Sequence, residues 1–205
     1  MNYRKRYQRH SSGRDFRKTI LIVCEGEKTE PYYFQAFDTY NKDKYYLKIE
    51  GLGYNTLSLV KETVSLIREA KSLRQEYEQV WCVFDKDLFS DADFNGAVDL
   101  ANANKIQCAY SNESFELWFI LHFEYWQSAS TRDAYCAKLD ELLASYGGYS
   151  KTSDEIYAIL KGKQEIAIGN ARKLLQDYDV GVTPSKQNPA TTVFLLVEAL
   201  NNLRA

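Results

Sequence analysis

Acidic residues follow two apolar stretches of the 205-residue sequence, and their types and spacing suit metal-assisted chemistry on phosphorus. Glu25 comes directly after one apolar run, and Glu30 lies a few residues further on. Asp85 and Asp87 come directly after another such run. Carboxylates that are held close together repel each other unless protons or cations compensate their charge. Mg²⁺ and Mn²⁺ prefer carboxylate and water oxygens, and they can activate water for attack on phosphorus.

These acids need a scaffold that brings distant parts of the chain to one place. Both apolar runs are continuous, which is typical of central strands in a parallel sheet whose two faces are covered. The carboxyl ends of adjacent parallel strands meet at one edge of the sheet, so we expect Glu25, Asp85 and Asp87 to converge there. Side chains alternate along a strand, so both aspartates can face one side while Lys86 points away.

The patterns along the chain predict an α/β fold. Four strands are predicted, over 19–24, 45–50, 80–84 and 106–110. Helices are predicted over 32–40, 56–77, 93–102, 131–145, 153–160, 165–177 and 190–203, and a further helix begins at a capping Ser114. The alternation implies a Rossmann-like, mostly parallel four-stranded sheet flanked by helices. We divide the chain into an arm (1–18), an α/β domain (19–125) and a helical C-terminal part (126–205) that packs on or beside it.

Charge is distributed unevenly along the chain. Residues 1–18 hold seven basic residues and one acid (+6), whereas the remainder holds 19 basic and 27 acidic residues (−8), and the sum is only −2. A basic segment of this kind suits contacts to phosphate groups, which add affinity without reading sequence. Arg4, Lys5 and Arg6 stand among tyrosines that can stack on unpaired bases. A solubilising tail or a partner-docking segment is the alternative.

Several other protein classes are disfavoured by the sequence. No apolar run approaches the length of a membrane-spanning helix, and the basic N-terminus lacks the apolar segment of a signal peptide. We therefore expect a cytoplasmic protein with no membrane partner. The four cysteines lack CxxC spacing and there are only two histidines, which speaks against disulfides and a zinc site.

Segments in a fixed order resemble the RloB-like family of bacterial and archaeal defence proteins. They are ILIVCEGEKTEPYYF (20–34), VWCVFDKD (80–87), FN with its following helix (94–101), AYSNESFELWFILHF (109–123) and NPATTVFLLVEAL (188–200). The combination of Glu25-Gly26 with Asp85-x-Asp87 is similar to the Toprim domain of topoisomerases, primases and overcoming-lysogenization-defect nucleases. The resemblance spans nearly everything after the arm.

The resemblance implies a Toprim fold and metal-dependent phosphodiester hydrolysis of nucleic acid in anti-phage defence, by abortive infection. Transfer RNA or other RNA is the candidate substrate, with DNA as the alternative, and Mg²⁺ or Mn²⁺ is the expected cofactor. The resemblance assigns to Glu25 the role of metal ligand or general base, and to Asp85 and Asp87 metal binding. Glu30 and Glu116 are further candidate ligands.

Two lysines and the expected partners complete the prediction. Lys28 and Lys86 lie within the acidic loops, where they would contact substrate phosphate or form surface ion pairs. A related nuclease subunit works with an ATPase, and this chain has no Walker A pattern, so any ATPase would be a separate subunit. A homodimer is left open.

Two other functions stay open on the sequence alone. One is a phosphatase of the haloacid-dehalogenase type, in which a DxD aspartate is the nucleophile. That family places its DxD after the first strand, whereas here it follows the third. The other is a non-catalytic defence or interaction module with a Toprim fold.

Overall fold

A computed structural model describes residues 18–39, 45–53, 55–153 and 155–202. The strands are β1 (Lys18–Cys24), β2 (Tyr45–Gly51), β3 (Gln79–Asp85), β4 (Gln107–Asn112) and β5 (Ala190–Thr191). The helices are α1 (Thr29–Thr39), α2 (Thr56–Ser72), α3 (Asp91–Ala103), α4 (Glu116–Ile120), α5 (Arg132–Leu142), α6 (Ile156–Leu160), α7 (Gln164–Gln176) and α8 (Val193–Asn202). Short 3-10 helices cover Ala144–Tyr146, Lys161–Lys163 and Pro184–Lys186.

The strands form one mostly parallel sheet in the order β2-β1-β3-β4-β5. The first four strands pair in parallel, and β5 pairs with β4 in the antiparallel sense. This confirms the α/β, Rossmann-like prediction. β1 and β3 are neighbours, with Ile22 opposite Trp81. Their carboxyl ends therefore lie side by side at one edge of the sheet.

The fifth strand corrects the prediction of four strands and of a last helix over 190–203. Ala190 and Thr191 pair with Asn112 and Ser111, and α8 begins only at Val193. The Oγ1 atom of Thr191 lies 2.9 Å from Oγ of Ser111. A two-residue strand is too short to show alternation, so sequence periodicity could not reveal it.

Two predicted helix ends are also wrong. The helix predicted over 56–77 stops at Ser72, and Arg74 has φ +57°, a left-handed conformation that ends a helix. Ser114 does not cap α4. Phe115 stands at the cap position, and the buried hydroxyl of Ser114 has no hydrogen-bond partner within the described part of the chain.

Apolar side chains on the two faces of the sheet form two separate clusters. Ile20 and Ile22 of β1 belong to the larger cluster, together with buried residues of α1 and of α4–α8. Leu21 and Val23 belong to the smaller cluster, which α2 and α3 cover. The double coverage explains why β1 is apolar at every position from Ile20 to Cys24. None of the described helices is long and apolar enough to cross a membrane.

Candidate functional site

A cavity of about 500 Å³ opens at the carboxyl edge of the sheet. Six acidic and three basic side chains line it: Glu25, Glu27, Glu30, Asp85, Asp87 and Glu116, with Lys28, Arg132 and Lys151. The fold thus brings together all five acids that the sequence singles out as candidate ligands. Since acids outnumber bases, the cavity has an excess of negative charge whenever its carboxyl groups are ionised. We call it the acidic cavity.

Glu25 stands where β1 ends and bridges to the neighbouring strand. Its backbone N–H donates to the Val83 carbonyl at 2.9 Å, which extends the pairing of β1 with β3. Its Oε2 atom accepts a hydrogen bond from the Asp85 N–H at 3.2 Å. Burial raises the pKa of Glu25 to about 7, and the charge of Glu30 adds to this rise while the Asp85 N–H opposes it.

Glu30 lies in the first turn of α1, and its carboxyl group is buried. A side chain at Gly26 would overlap the Glu30 carboxylate, so the glycine of the Glu25-Gly26 pair makes room for this acid. Burial raises the pKa of Glu30, and the neighbouring charge of Glu116 raises it further. The carboxylic acid is therefore held in surroundings that disfavour its charge.

Asp85 and Asp87 turn their carboxylates to the same side of the chain end. Asp87 has φ +37°, within the left-handed region that aspartate tolerates better than most residues. One oxygen of Asp85, Oδ1, is buried and has no hydrogen-bond partner among the described residues. Burial raises the pKa of Asp85 well above its usual range, with Glu30 as the next contributor. A buried carboxylate oxygen with no partner is an energetic cost that a cation would remove.

Lys86 points away from the two aspartates, as the DxD spacing predicts. Its ammonium group lies 3.5 Å from Asp91 and donates to the Phe89 carbonyl. Lys86 is not among the described residues that line the acidic cavity, whereas Lys28 is. Lys86 therefore forms a surface ion pair, which is one of the two alternatives predicted for it. Lys28 lines the acidic cavity, where a lysine could contact a bound phosphate.

Arg132 supplies the cation nearest to the aspartates. Its Nη2 lies 2.8 Å from Asp85 Oδ2, and its Nη1 lies 3.1 Å from Asp87 Oδ2. It is the first residue of α5, directly after the capping Thr131. Sequence reasoning missed Arg132 because it lies far along the chain, in no motif and outside the α/β half. The uncompensated charge of the acids was the only available signal, and it does not identify a residue.

Glu116 forms the far wall of the cavity. It is buried at the start of α4, where its Oε1 accepts a hydrogen bond from the Tyr149 hydroxyl at 3.0 Å. The Lys151 ammonium lies 3.9 Å from the same oxygen. The Thr29 hydroxyl donates to the Lys151 carbonyl, which ties the loop after α5 to the start of α1. Tyr149 and Lys151 were also missed, since neither stands near a motif.

Arg4, Lys5 and Arg6 lie outside the described residues. Their contact with nucleic acid stays a prediction.

The carboxylates fit a divalent cation by their chemistry. They supply only hard oxygen donors, and the buried Oδ1 of Asp85 has no partner among the described residues, a position that a cation would satisfy. Burial is the largest cause of the raised pKa values of Glu25 and Glu30, and neighbouring carboxylates raise them further. Among the described residues, however, no three His, Cys, Asp or Glu side chains already converge as ligands. The Arg132 guanidinium faces both aspartates, so a cation would have to take its place beside at least one of them.

Without divalent cations, we expect Glu25 to lower stability as the pH rises from 4.5 to about 7. Its pKa rises on folding from the ordinary 4.5 to about 7, so the folded protein holds this proton more tightly. The stabilisation is complete below pH 4.5 and is lost as the pH passes the folded pKa. The measurement is the difference in unfolding free energy between the unaltered protein and Glu25→Gln, in EDTA, across this range.

The difference between the two proteins removes the titration of groups that do not interact with Glu25. Burial lowers the pKa of His122 to about 4, which by itself makes stability rise with pH, and this contribution is common to both proteins. A difference that stays constant from pH 4.5 to 7 would contradict the burial of Glu25 described above.

Comparison with protein families agrees with the order of these elements. A family model described as "RloB-like protein" matches residues 20–200. A search of the curated proteins finds no match. The matched range contains every described side chain that lines the acidic cavity, including Arg132 and Lys151 from the C-terminal half. The chain therefore belongs to the RloB-like family.

Proposed function

We propose that the chain is a metal-dependent phosphodiesterase that hydrolyses nucleic acid, with transfer RNA or other RNA as its foremost substrate and anti-phage defence as its role. One observation carries the proposal: five carboxylates, from the carboxyl ends of β1 and β3 and from the first turns of α1 and α4, meet in one cavity whose charge is incompletely compensated. Such a cluster costs stability in a protein that only needs to fold. A site for a cation that acts on phosphate accounts for that cost.

The residues divide the work by position. Asp85, Asp87 and Glu25 would hold Mg²⁺ or Mn²⁺, with Glu30 and Glu116 as further ligands. When bound, the cation would activate water and stabilise the leaving oxygen of the phosphodiester. Glu25 has a pKa near neutrality in the metal-free protein, which also suits it to accept a proton.

The basic side chains of the cavity would hold the substrate. Arg132 and Lys28 line the same cavity as the acids, and the Lys151 side chain is half exposed at its wall. With a cation bound beside the aspartates, the Arg132 guanidinium would be free to donate paired hydrogen bonds to phosphate oxygens. The three cations would fix the phosphate opposite the carboxylates.

Sheet position favours this proposal over a DxD phosphatase. The nucleophilic aspartate of the haloacid-dehalogenase type follows the first strand, where this chain has Glu25. Asp85 instead ends β3, which lies beside β1 in the sheet centre. A non-catalytic module would have no use for five buried or half-buried carboxylates, so we keep it as the second candidate only.

The proposal is tested by incubating the protein with total transfer RNA, single-stranded RNA and DNA in Mg²⁺ or Mn²⁺. We expect new chain ends in at least one of them, and we expect EDTA to stop their formation. The same assays with neighbouring gene products added test for a separate ATPase subunit, and sedimentation tests for a homodimer. No cleavage under any of these conditions would favour the non-catalytic module. A cytoplasmic location is part of the proposal.

Removal of residues 1–17 is expected to weaken substrate binding by about tenfold in low salt and to flatten its salt dependence. Six basic residues are lost with this segment, and each phosphate contact contributes to the slope of affinity against salt. The measurement is the dissociation constant at several salt concentrations. Mn²⁺ affinity should change little. An unchanged salt slope would assign the arm to a tail or a docking segment.

A further inference from the structure

A second, smaller cavity of about 220 Å³ adjoins the acidic cavity. Its lining is formed by the first turn of α2 and by the loop and first turn of α3: Asn55, Thr56, Leu57, Ser58, Phe89 and Asp93. Two of these residues, Asn55 and Phe89, line both cavities. A ligand that extends from one cavity into the other would therefore pass Asn55 and Phe89. We call this second space the side cavity.

The walls of the side cavity combine apolar surface with hydrogen-bonding groups. Phe89 and Leu57 supply the apolar surface, and Asp93 and Ser58 supply polar groups. The hydroxyl of Thr56 is buried and has no hydrogen-bond partner among the residues that the structure covers. Four of the six lining residues are polar, so the cavity suits a flat ligand that presents an apolar face together with hydrogen-bonding edges.

The polar walls are held in position by helix caps. Asn55 caps α2, where its Oδ1 accepts a hydrogen bond from the Ser58 N–H at 3.0 Å. Ser90 caps α3, where its Oγ accepts from the Asp93 N–H at 3.1 Å and lies 2.7 Å from Asp93 Oδ2. The Asp93 carboxylate is thus oriented through one oxygen, and among the described residues no hydrogen bond to its other oxygen competes with a ligand.

The size of the side cavity limits what it can hold. Cavities for complete drug-sized ligands span roughly 300–1,000 Å³. At about 220 Å³ the side cavity is smaller and suits one ring system that belongs to a larger molecule. In a nucleic acid that part is a single base, provided that it is not paired with another strand.

We propose that the side cavity binds one unpaired nucleobase next to the phosphodiester that is held in the acidic cavity. This inference rests on the proposed function and deepens it. The base stacks on Phe89, and a base amino group donates to Asp93. The substrate is then a nucleic acid with an unpaired or extruded base beside the cleaved bond, and cytosine is preferred to uracil, which has a carbonyl in place of the amino group.

The first test is the binding of single-stranded and fully paired oligonucleotides, as RNA and as DNA, measured by fluorescence anisotropy in Mg²⁺. Every protein carries Glu25→Gln to prevent turnover. Phe89→Ala should weaken single-strand binding roughly tenfold and leave duplex binding unchanged, because stacking on an aromatic side chain needs an unpaired base. Phe89→Trp should preserve single-strand binding. Leu88→Ala is the matched control, since Leu88 is 94% exposed and is not among the described residues of either cavity.

A scan of abasic sites locates the base. The protein that carries Glu25→Gln alone, with Phe89 unaltered, is called the Phe89 protein. Removing the base from one position of the oligonucleotide should weaken its binding to the Phe89 protein roughly tenfold. The same removal should have little further effect on binding to the Phe89→Ala protein. The inference would be overturned if the losses of binding free energy from base removal and from Phe89→Ala add at every position. It would also be overturned if Phe89→Ala weakens the binding of single strand and duplex equally. If the Phe89 protein binds neither form, the proposed function fails as well. If the Phe89 protein binds nucleic acid but base removal and Phe89→Ala are not coupled at any position, the base site is ruled out and the proposed function is not.

The second test exchanges cytosine for uracil at the position that the scan identifies. The Phe89 protein should bind the cytosine oligonucleotide several-fold more tightly. Asp93→Asn should remove this preference, because the side-chain amide is a weaker acceptor than a carboxylate. Asp99→Asn, on the same helix and exposed, should retain it. If Asp93→Asn prefers cytosine to uracil as strongly as Asp99→Asn does, the role given to Asp93 is contradicted.

Discussion

Replacing Asp85 with asparagine is expected to lower the rate of nucleic-acid cleavage by roughly a thousandfold. The change keeps the shape of the side chain but removes the charge that binds a cation, and a bound metal ion contributes several kcal/mol of transition-state stabilisation. Asp85 is buried, and its carboxylate interacts with the charges of Glu30 and Glu25. The measurement is the single-turnover rate with excess protein in Mg²⁺.

Asp91→Asn is the matched control for Asp85→Asn. Asp91 lies six residues further on, is not among the described residues of the acidic cavity, and pairs with Lys86 and Lys186 on the surface. Its loss should change the rate by less than about threefold, because exposed ion pairs contribute little. Equal rates for Asp85→Asn and the unaltered protein would remove the carboxylate cluster from the reaction.

Replacing Arg132 with methionine is expected to destabilise the metal-free protein by about 3 kcal/mol at pH 8. The guanidinium contacts both Asp85 and Asp87, and its removal leaves their charges without a neighbouring cation. Methionine keeps the aliphatic length of the side chain, so lost packing is a minor part of the effect. The measurement is urea unfolding in EDTA and, separately, in Mg²⁺.

Divalent cations should reverse the effect of Arg132→Met. The cation takes the place of the guanidinium, so the stability difference in Mg²⁺ should shrink to about 1 kcal/mol or less, and Mn²⁺ should bind more tightly than it does to the unaltered protein. Arg172→Met is the control, since Arg172 pairs with Glu198 on the surface. A loss of stability in Arg132→Met that Mg²⁺ does not relieve would contradict the proposal that a divalent cation binds beside Asp85 and Asp87.

The position of the acids was predictable because it follows from local sequence. An apolar run that ends in a carboxylate identifies a buried strand and the edge at which it stops. Two such runs predict that Glu25 lies beside Asp85 if their strands are neighbours, and β1 and β3 do pair. The predicted start of the first helix, directly after the first strand, also places Glu30 near that edge of the sheet. Each of these inferences needs only a few consecutive residues and the general rule for parallel sheets.

The compensating groups were not predictable, because they come from distant parts of the chain. Arg132 and Lys151 reach the acidic cavity from loops and helix ends that carry no pattern of their own. β5 depends on a two-residue pairing with β4, and the side cavity depends on how the starts of α2 and α3 meet. Tertiary packing decides all of these, and no local propensity encodes them.

The uneven charge of the chain acquires a physical meaning from this arrangement. Part of the negative charge of the body is concentrated in the acidic cavity, where burial raises the pKa values of Glu25, Glu30 and Asp85. A phosphate backbone would be repelled from such a cavity until cations entered it. The basic arm would offset this repulsion during binding without any change to the folded body.

Anomalous diffraction from crystals soaked in Mn²⁺ tests the central claim most directly. We predict a Mn²⁺ peak between Glu25, Asp85 and Asp87, with the Arg132 guanidinium displaced from at least one aspartate. Mn²⁺ bound elsewhere on the protein, or no peak in the acidic cavity while Arg132 keeps both contacts, would contradict a metal-dependent site.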